Sequence, residues 1–141
     1  MYTSTTTIEI KATQENVWDS LINPVKVKKY FFGTDMEIDL RVGGNIYFRG
    51  LYQGTEYTDK GIITEIVDGK VLAYNYRSSW DTTEDIIENY LPVRFEIESV
   101  DNVTTKLTVT QTQNAQEKKE HSDESWKVVL EGLKTVCESE S

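Results

Sequence analysis

The chemistry most evident in this chain belongs to two tyrosines, Tyr74 and Tyr76, which lie two positions apart in an apolar run. Leu72 shares their parity, so the three side chains face one side of a predicted β-strand, and we interpret that side as buried. A buried hydroxyl without a hydrogen-bond partner costs about 1–3 kcal/mol, and two inward phenols therefore need polar atoms beside them. A cavity that holds water or a ligand would supply those atoms. An ordinary packed core is the alternative interpretation.

Other reactive side chains do not form a catalytic or metal-binding set. His121 and Cys137 are single in the sequence and lie about four turns apart on a predicted helix, too far to share a zinc ion. The acids Glu84, Asp85 and Glu88 have no accompanying histidine, which favours a solvated segment over acid–base catalysis. Walker, Gly-x-Gly-x-x-Gly and Cys-x-x-Cys motifs are absent. We predict no catalytic residue, no metal site and no cofactor, and we expect Cys137 to be a core residue.

The last part of the chain predicts a helix from about Ser122 to Cys137. Apolar residues recur at i, i+3, i+4, i+7 and i+11, at Trp126, Val129, Leu130, Leu133 and Cys137. This spacing places them on one helix face, which must pack against an apolar surface. Because the segment from Met36 to Thr112 is mainly predicted as strands, we expect the helix to lie across a sheet.

One strand and two short helices precede that sheet. Alternation of apolar and polar residues predicts a first strand from Thr3 to Lys11. Thr13 is a predicted N-cap for a helix that ends at Ile22. Proline suits a first helical position, so we predict a second helix from Pro24 to Phe31.

Turn residues divide the following segment into antiparallel strands. Gly43-Gly44-Asn45 predicts a turn between strands at 36–40 and 46–49, and Asp68-Gly69 predicts a turn between strands at 57–67 and 70–77. Two further strands are predicted around Val93, Phe95 and Ile97 and at 106–112, joined by a turn at Asp101-Asn102. The polar stretch at 78–89 is predicted as a loop.

Strand parity selects the residues that face the C-terminal helix. We predict a pocket between sheet and helix, lined by Phe48, Tyr74, Tyr76, Phe95, Trp126 and Leu130. The two tyrosines would supply polar contacts and the other four apolar walls. The same parity turns Arg49, Arg77 and Arg94 outward, away from a ligand. Trp80 is predicted in a loop at the mouth of the pocket.

Composition limits the classes of partner. Twenty-four acidic and fifteen basic residues give a formal net charge of −9, which repels nucleic acid and anionic membranes. No secretory signal and no run of about 18 apolar residues occurs, so we expect a cytoplasmic protein without membrane insertion. A length of 141 residues suits a single domain over 1–141.

The order of elements and several local motifs resemble the small proteins similar to the C-terminal domain of the activator of Hsp90 ATPase. These proteins belong to the START- and Bet v 1-like (SRPBCC) helix-grip superfamily. The residues that carry the resemblance are Val17-Trp18-Asp19-Ser20-Leu21 before Asn23-Pro24, Asp39-Leu40-Arg41-Val42-Gly43-Gly44, Gly61-Ile62-Ile63-Thr64-Glu65-Ile66 before Leu72-Ala73-Tyr74-Asn75-Tyr76, and Ser125-Trp126. Tyr30 and Tyr76 stand where members of this group usually carry tryptophan.

The resemblance implies an α+β helix-grip fold, with a curved antiparallel sheet of six or seven strands around a long C-terminal helix and two short helices after strand one. By analogy with relatives that carry lipids, sterols, plant hormones or polyketides, it implies a protein that binds a small apolar or amphipathic molecule. Two alternatives stay open: a stress-related chaperone accessory that acts through protein contacts, and a cyclase-like enzyme that uses pocket tyrosines. The partner is then a small hydrophobic ligand or a protein, and both monomer and homodimer fit the sequence.

Overall fold

The computed structural model describes residues 1–139, which form one antiparallel sheet and three α-helices. In chain order the elements are β1 (Tyr2–Ile10), α1 (Gln14–Ile22), α2 (Pro24–Tyr30), β2 (Asp35–Ile38), β3 (Asn45–Tyr52), β4 (Thr55–Val67), β5 (Val71–Arg77), a short 3₁₀ helix (Ile87–Asn89), β6 (Leu91–Ser99), β7 (Thr105–Gln113) and α3 (Gln116–Ser139). The predicted fold class is confirmed, with seven strands among the described residues.

The strand order is β1-β7-β6-β5-β4-β3-β2, and each neighbouring pair is antiparallel. The first strand therefore pairs with the last, and β2 and β1 are the two edges. The core fills the space between the concave sheet face and the helices. Its most deeply buried large side chains come from both layers, with Ile63, Leu72 and Leu107 from the sheet and Leu130 and Leu133 from α3.

The two short helices begin and end at capping residues. Thr13 accepts a hydrogen bond from the backbone N–H of Asn16 at 3.2 Å, as expected of an N-cap. Asn23 ends α1, and its side chain accepts a hydrogen bond from Val25 N at the start of α2. Pro24 occupies the first turn of α2, where its missing N–H costs nothing.

Helix α3 begins at Gln116, six residues before the predicted start at Ser122. The added segment is polar, with Glu117, Lys118, Lys119 and Glu120 in succession. These residues favour a helix but bury no apolar stripe, so hydrophobic periodicity could not detect that part of the helix.

The link between β2 and β3 differs from the predicted tight turn. Strand β2 ends at Ile38, and Leu40, which was predicted inside the strand, is 42% exposed in a loop. Gly43 has a φ of +85°, as a turn glycine does. Gly44 instead permits a close approach of two backbone segments, because a Cβ there would lie 2.1 Å from the backbone oxygen of Asp39.

A two-residue hairpin between β3 and β4 was not predicted. Its loop residues Gln53 and Gly54 have φ values of 51° and 81°, which are typical of a type I′ turn. Gln-Gly is a weaker turn signal than Asn-Gly or Asp-Gly, so the sequence did not reveal this turn. The predicted strands therefore stopped short of it, and β3 and β4 are longer than predicted. Further along β4 the register with β5 shifts between Ile63 and Glu65, a bulge that bends the strand around the core.

Candidate functional site

A small cavity lies between the sheet, α2 and the end of α1, with a volume of about 20 Å³. Its walls are apolar or aromatic and consist of Leu21, Val27, Tyr30, Phe31, Met36, Ile46, Phe48, Leu72, Tyr74 and Phe95. A cavity needs roughly 10–15 Å³ to hold one water molecule, so this one has room for a single water.

Tyr74 places a polar group at this cavity. It projects from β5 and is 4% exposed, and burial raises the pKa of its phenol. Every fully enclosed side-chain nitrogen or oxygen within residues 1–139 has a hydrogen-bond partner. The Tyr74 hydroxyl forms no hydrogen bond with any of those residues, so it is not fully enclosed, and Tyr74 is one of the residues that line the cavity. Tyr74 is therefore the wall residue whose hydroxyl is not used by residues 1–139.

Three of the six predicted site residues border the cavity, namely Phe48, Tyr74 and Phe95. Leu130 and Trp126 are buried in the same core but lie away from the cavity wall. The Trp126 indole N–H donates to Gln111 Oε1 at 2.8 Å, and its ring meets Phe95 edge-on with centroids 5.6 Å apart. Trp126 therefore has its own polar partner on β7.

The sixth predicted residue, Tyr76, has a protein partner that the sequence reasoning missed. Its hydroxyl donates to Asp59 Oδ2 at 2.5 Å, and burial followed by the Asp59 charge raises the pKa of this phenol. Asp59 lies on β4 and also accepts a hydrogen bond from Ser79 N at 2.8 Å. Parity could have placed it, because Tyr57, Asp59 and Gly61 alternate on the face that meets Tyr76.

The aromatic side chains form a continuous layer around the cavity. Phe31 stacks on Phe48 with centroids 5.6 Å apart and meets Trp126 edge-on at 6.0 Å. Tyr30 turns its hydroxyl away from the cavity and donates to Ser20 O at 2.7 Å. Phe31 is only half-buried, as are Tyr30 and Tyr76, whereas Phe48, Tyr74, Phe95 and Trp126 are buried.

Trp80 lies in the loop after β5 and is 53% exposed. Its ring packs against Tyr57 at 5.2 Å and Tyr52 at 5.9 Å between centroids. Tyr57 can lie flat there because Gly50 has no side chain, and a Cβ at Gly50 would come within 2.6 Å of the Tyr57 hydroxyl. That hydroxyl and Thr34 Oγ1 are 2.9 Å apart. Tyr52 is 59% exposed, so this corner carries two exposed aromatic side chains in contact, Tyr52 and Trp80.

A larger depression of about 260 Å³ lies elsewhere, on the outer sheet face at the β4–β5 end. It is lined by Lys70, Val71, Glu96, Ile97, Glu98, Lys106 and Thr108. Charges of both signs meet there, and Lys106 pairs with Glu98 at 3.4 Å. Because small-molecule sites are mostly apolar, the smaller interior cavity is the better candidate.

A family model described as "Activator of Hsp90 ATPase homolog 1-like protein" matches residues 11–138 of this chain. The chain belongs to this family. No curated protein matches it in sequence.

Solved structures of similar proteins share the whole fold of this member of the Hsp90-activator-like family. A protein from Cytophaga hutchinsonii is 30% identical, with a TM-score of 0.82 over 99% of this chain and 96% of its own. An "Aha1 dimer" from Colwellia psychrerythraea is 20% identical, with a TM-score of 0.74 over 98% and 97%. An "HSP90 activator" from Plasmodium falciparum is 20% identical, with a TM-score of 0.75 over 96% of each chain.

The remaining reactive residues of this family member lie outside the cavity. Arg49 and Arg94 are on the outer sheet face, where Arg94 contacts Glu65 and Glu96. Arg77 holds the loop after β5, since its guanidinium donates to the carbonyl of Thr83 at 2.6 Å. The outward placement of these arginines agrees with the parity prediction.

Asp85, His121 and Cys137 also lie outside the cavity. Asp85 forms an ion pair with Lys60, which lowers the pKa of its carboxyl. His121 is exposed on α3, and Cys137 is fully buried and 3.1 Å from Ser20 Oγ. Within residues 1–139 no three His, Cys, Asp or Glu side chains are grouped as a metal site, and no helix is long and apolar enough to cross a membrane.

Proposed function

We propose that this protein binds a small apolar or amphipathic molecule between the sheet and the helices, with Tyr74 as hydrogen-bond donor. The observation that carries the proposal is the Tyr74 hydroxyl, which forms no hydrogen bond with residues 1–139 and belongs to a residue that lines a cavity together with Phe48 and Phe95. Apolar walls with a few convergent polar groups are typical of small-molecule sites. A donor held in such walls gives an amphipathic ligand one fixed orientation.

Binding anything larger than water requires the wall to move, because small-molecule sites have volumes of at least roughly 300 Å³. Phe31 is the wall residue best placed to move. It caps α2 and is followed by Phe32 and Gly33 with φ values of 55° and 69°. A bulky residue at positive φ is strained, so this junction has conformational energy to release. In this proposal Phe31 swings outward, and the remaining predicted residues, Tyr76, Trp126 and Leu130, then border the enlarged site.

The test is a titration of the full chain with two naphthalene probes, followed by amide chemical shifts. One probe is naphthalene itself, and the other carries a methyl ketone that can accept the Tyr74 hydrogen bond. We expect the shifts to concentrate at Phe31, Phe48, Tyr74 and Phe95. In Tyr74→Phe the ketone should bind about 5–30-fold more weakly, which corresponds to one lost hydrogen bond of about 1–2 kcal/mol, and naphthalene should bind as before.

A control variant and a second measurement complete this test. Tyr52→Phe removes an exposed phenol and should leave both affinities unchanged. Mass spectrometry of natively purified and then denatured protein should find a copurified molecule. Shifts confined to the outer sheet face, or equal loss of both probes in Tyr74→Phe, would contradict a Tyr74-centred site.

A second candidate function, a chaperone accessory, is supported by the exposed aromatic pair of Tyr52 and Trp80. These side chains are 59% and 53% exposed, and their rings are in contact beside the β3–β4 hairpin. Exposed apolar side chains grouped in this way are a feature of protein–protein contact sites. The Plasmodium falciparum protein named as an Hsp90 activator shares the fold.

Adding the full chain to purified Hsp90 and measuring its ATPase rate tests the second candidate. Stimulation that is lost in Tyr52→Ser/Trp80→Ser and kept in the exposed control Val128→Ser would support it. An unchanged ATPase rate at saturating protein would count against it.

A further inference from the structure

Asp59 places a negative charge at the inner face of the sheet, beside the proposed site. It is half-buried on β4, and both of its hydrogen-bond donors, Tyr76 Oη and Ser79 N, are neutral groups. No ion pair connects Asp59 to a lysine, arginine or histidine of residues 1–139. Its charge is therefore solvated by dipoles and not cancelled by a cation.

The charge lies close enough to act on the cavity. Asp59 faces Phe48 across the β3–β4 ladder, and the Phe48 ring lies 6.4 Å from that of Tyr76 and 6.1 Å from that of Tyr74. Burial raises the pKa of Tyr74, and the charge of Asp59 raises it further. The field of this carboxylate thus reaches the hydroxyl of Tyr74, a residue of the cavity wall.

The cavity wall contains no positive charge that could offset this field. Its ten lining residues include no lysine, arginine or histidine. The cations that follow Asp59 and Tyr76 on their strands are Lys60 and Arg77, and both have partners outside the cavity, Asp85 and the loop after β5. An anion placed in the cavity would lose its hydration, find no cation and face a like charge, which is costly in a buried site. A cation would meet aromatic faces and a carboxylate, both of which attract it.

We infer that the site, on the assumption that it binds a small molecule as proposed above, accepts neutral or cationic aromatic ligands and rejects carboxylates. This preference follows from the position of Asp59, from the aromatic cavity wall and from the outward orientation of Lys60 and Arg77. Fatty acids and other anionic amphiphiles are then excluded as ligands, although their apolar parts would suit the wall. The acceptor for the Tyr74 hydroxyl must be a neutral group such as a ketone, an amide or an ether.

The test compares three naphthalenes of nearly equal size at neutral pH, bearing a carboxamide, an aminomethyl group or a carboxylate. In the wild-type full chain the amide and the amine should bind at least about tenfold more tightly than the carboxylate, a difference of about 1.4 kcal/mol. Asp59→Asn keeps a hydrogen-bond acceptor and removes the charge. In that variant the carboxylate should gain affinity, the amine should lose it and the amide should change little.

Asp68→Asn is the matched control, because it removes the same charge from an exposed turn at the far end of β4. It should leave the order of the three affinities unchanged. Should the carboxylate bind as tightly as the amide in the wild type, the charge preference is overturned and the binding function stands. If none of the probes binds, the binding function is overturned together with this inference. The wild-type ranking decides the matter even if Asp59→Asn does not fold.

Discussion

Two phenols on one strand, two residues apart, have different environments. Tyr76 donates a hydrogen bond to the Asp59 carboxylate, whereas the Tyr74 hydroxyl has no hydrogen-bond partner within residues 1–139 and belongs to a residue of the cavity wall. The sequence predicted that both would need polar partners, and it could not tell which of them the protein itself would satisfy. That difference makes Tyr74 the residue on which the binding proposal depends.

The pair provides a matched test of stability. Tyr76→Phe should lower the free energy of unfolding by about 1.5–3 kcal/mol, because it removes a hydrogen bond to a charged acceptor. Tyr74→Phe should change it by a few tenths of a kcal/mol at most, because no protein hydrogen bond is lost. Urea unfolding of both variants measures the difference. Equal losses would show that Tyr74 has a partner in the folded protein.

Buried phenols also predict the alkaline limit of stability. Burial raises the pKa of Tyr30, Tyr74 and Tyr76 above the value of about 10 that applies in the unfolded chain. Above pH 10 the unfolded state releases these protons and the folded state keeps them, so the free energy of unfolding falls as pH rises. Below pH 10 this contribution to stability is fully present.

Phenolate absorbance during an alkaline titration measures this effect. We expect three of the eight tyrosines to ionise only together with loss of the circular dichroism signal. Tyr74→Phe should reduce that late group by one. Gradual ionisation of all tyrosines while the signal persists would contradict the burial of these phenols.

At the scale of elements, α3 is the layer that closes the core, and its two faces differ sharply. Leu130 is 1% exposed, whereas Val128, two residues earlier, is 61% exposed. Leu130→Asp removes a buried leucine side chain, which costs about 2–5 kcal/mol, and places a charge in the core, which adds a further cost. Together these two costs approach the whole free energy of unfolding of a domain, which is about 5–15 kcal/mol. We expect this variant to be unfolded by circular dichroism.

Val128→Asp is the control on the same helix and should fold, with a stability within about 0.5 kcal/mol of the wild type. A soluble, cooperatively folded Leu130→Asp would mean that α3 does not pack on the sheet as described.

The sequence predicted those elements whose hydrophobic pattern or turn chemistry is strong. The apolar face of α3, the Asp68-Gly69 turn and the Asn23-Pro24 junction between the short helices were all predicted correctly. The polar first turns of α3 and the Gln53-Gly54 hairpin were not, because charged residues carry no periodic signal and Gln-Gly is a weak turn pair.

The candidate site was harder to predict than the fold. Parity correctly placed Phe48, Tyr74 and Phe95 on one surface. It could not show how completely Tyr30 and Phe31 would fill the space above them, because cavity volume depends on side-chain packing and not on strand direction. Asp59 was not predicted either, because its effect depends on the absence of a counter-charge beside it among residues 1–139.

At the scale of the whole molecule, a net charge of −9 acts against compactness. Ion pairs on this surface are mostly exposed, such as Lys28 with Asp35 and Arg41 with Asp39, and pairs of this kind contribute about 0–1 kcal/mol each. Repulsion among the excess acids should therefore outweigh them at low ionic strength.

Raising NaCl from a few millimolar to about 0.15 M shortens the Debye length to about 8 Å and should raise the melting temperature. Thermal unfolding at several salt concentrations measures this. A melting temperature that falls with salt would show that the ion pairs contribute more than the repulsion.

The pairing of β1 with β7 also governs how the chain can fold during its synthesis. Tyr2 lies opposite Gln113, so β1 has no partner in the sheet until β7 has emerged from the ribosome. Contacts of such large sequence separation form late and slowly, because the loop between them must close first. The threonine-rich β1 stays unpaired until then. The hairpins from β3 to β6 can form before β1 pairs with β7. Until β7 has emerged, β1 is therefore a segment of the newly made chain that depends on protection from aggregation.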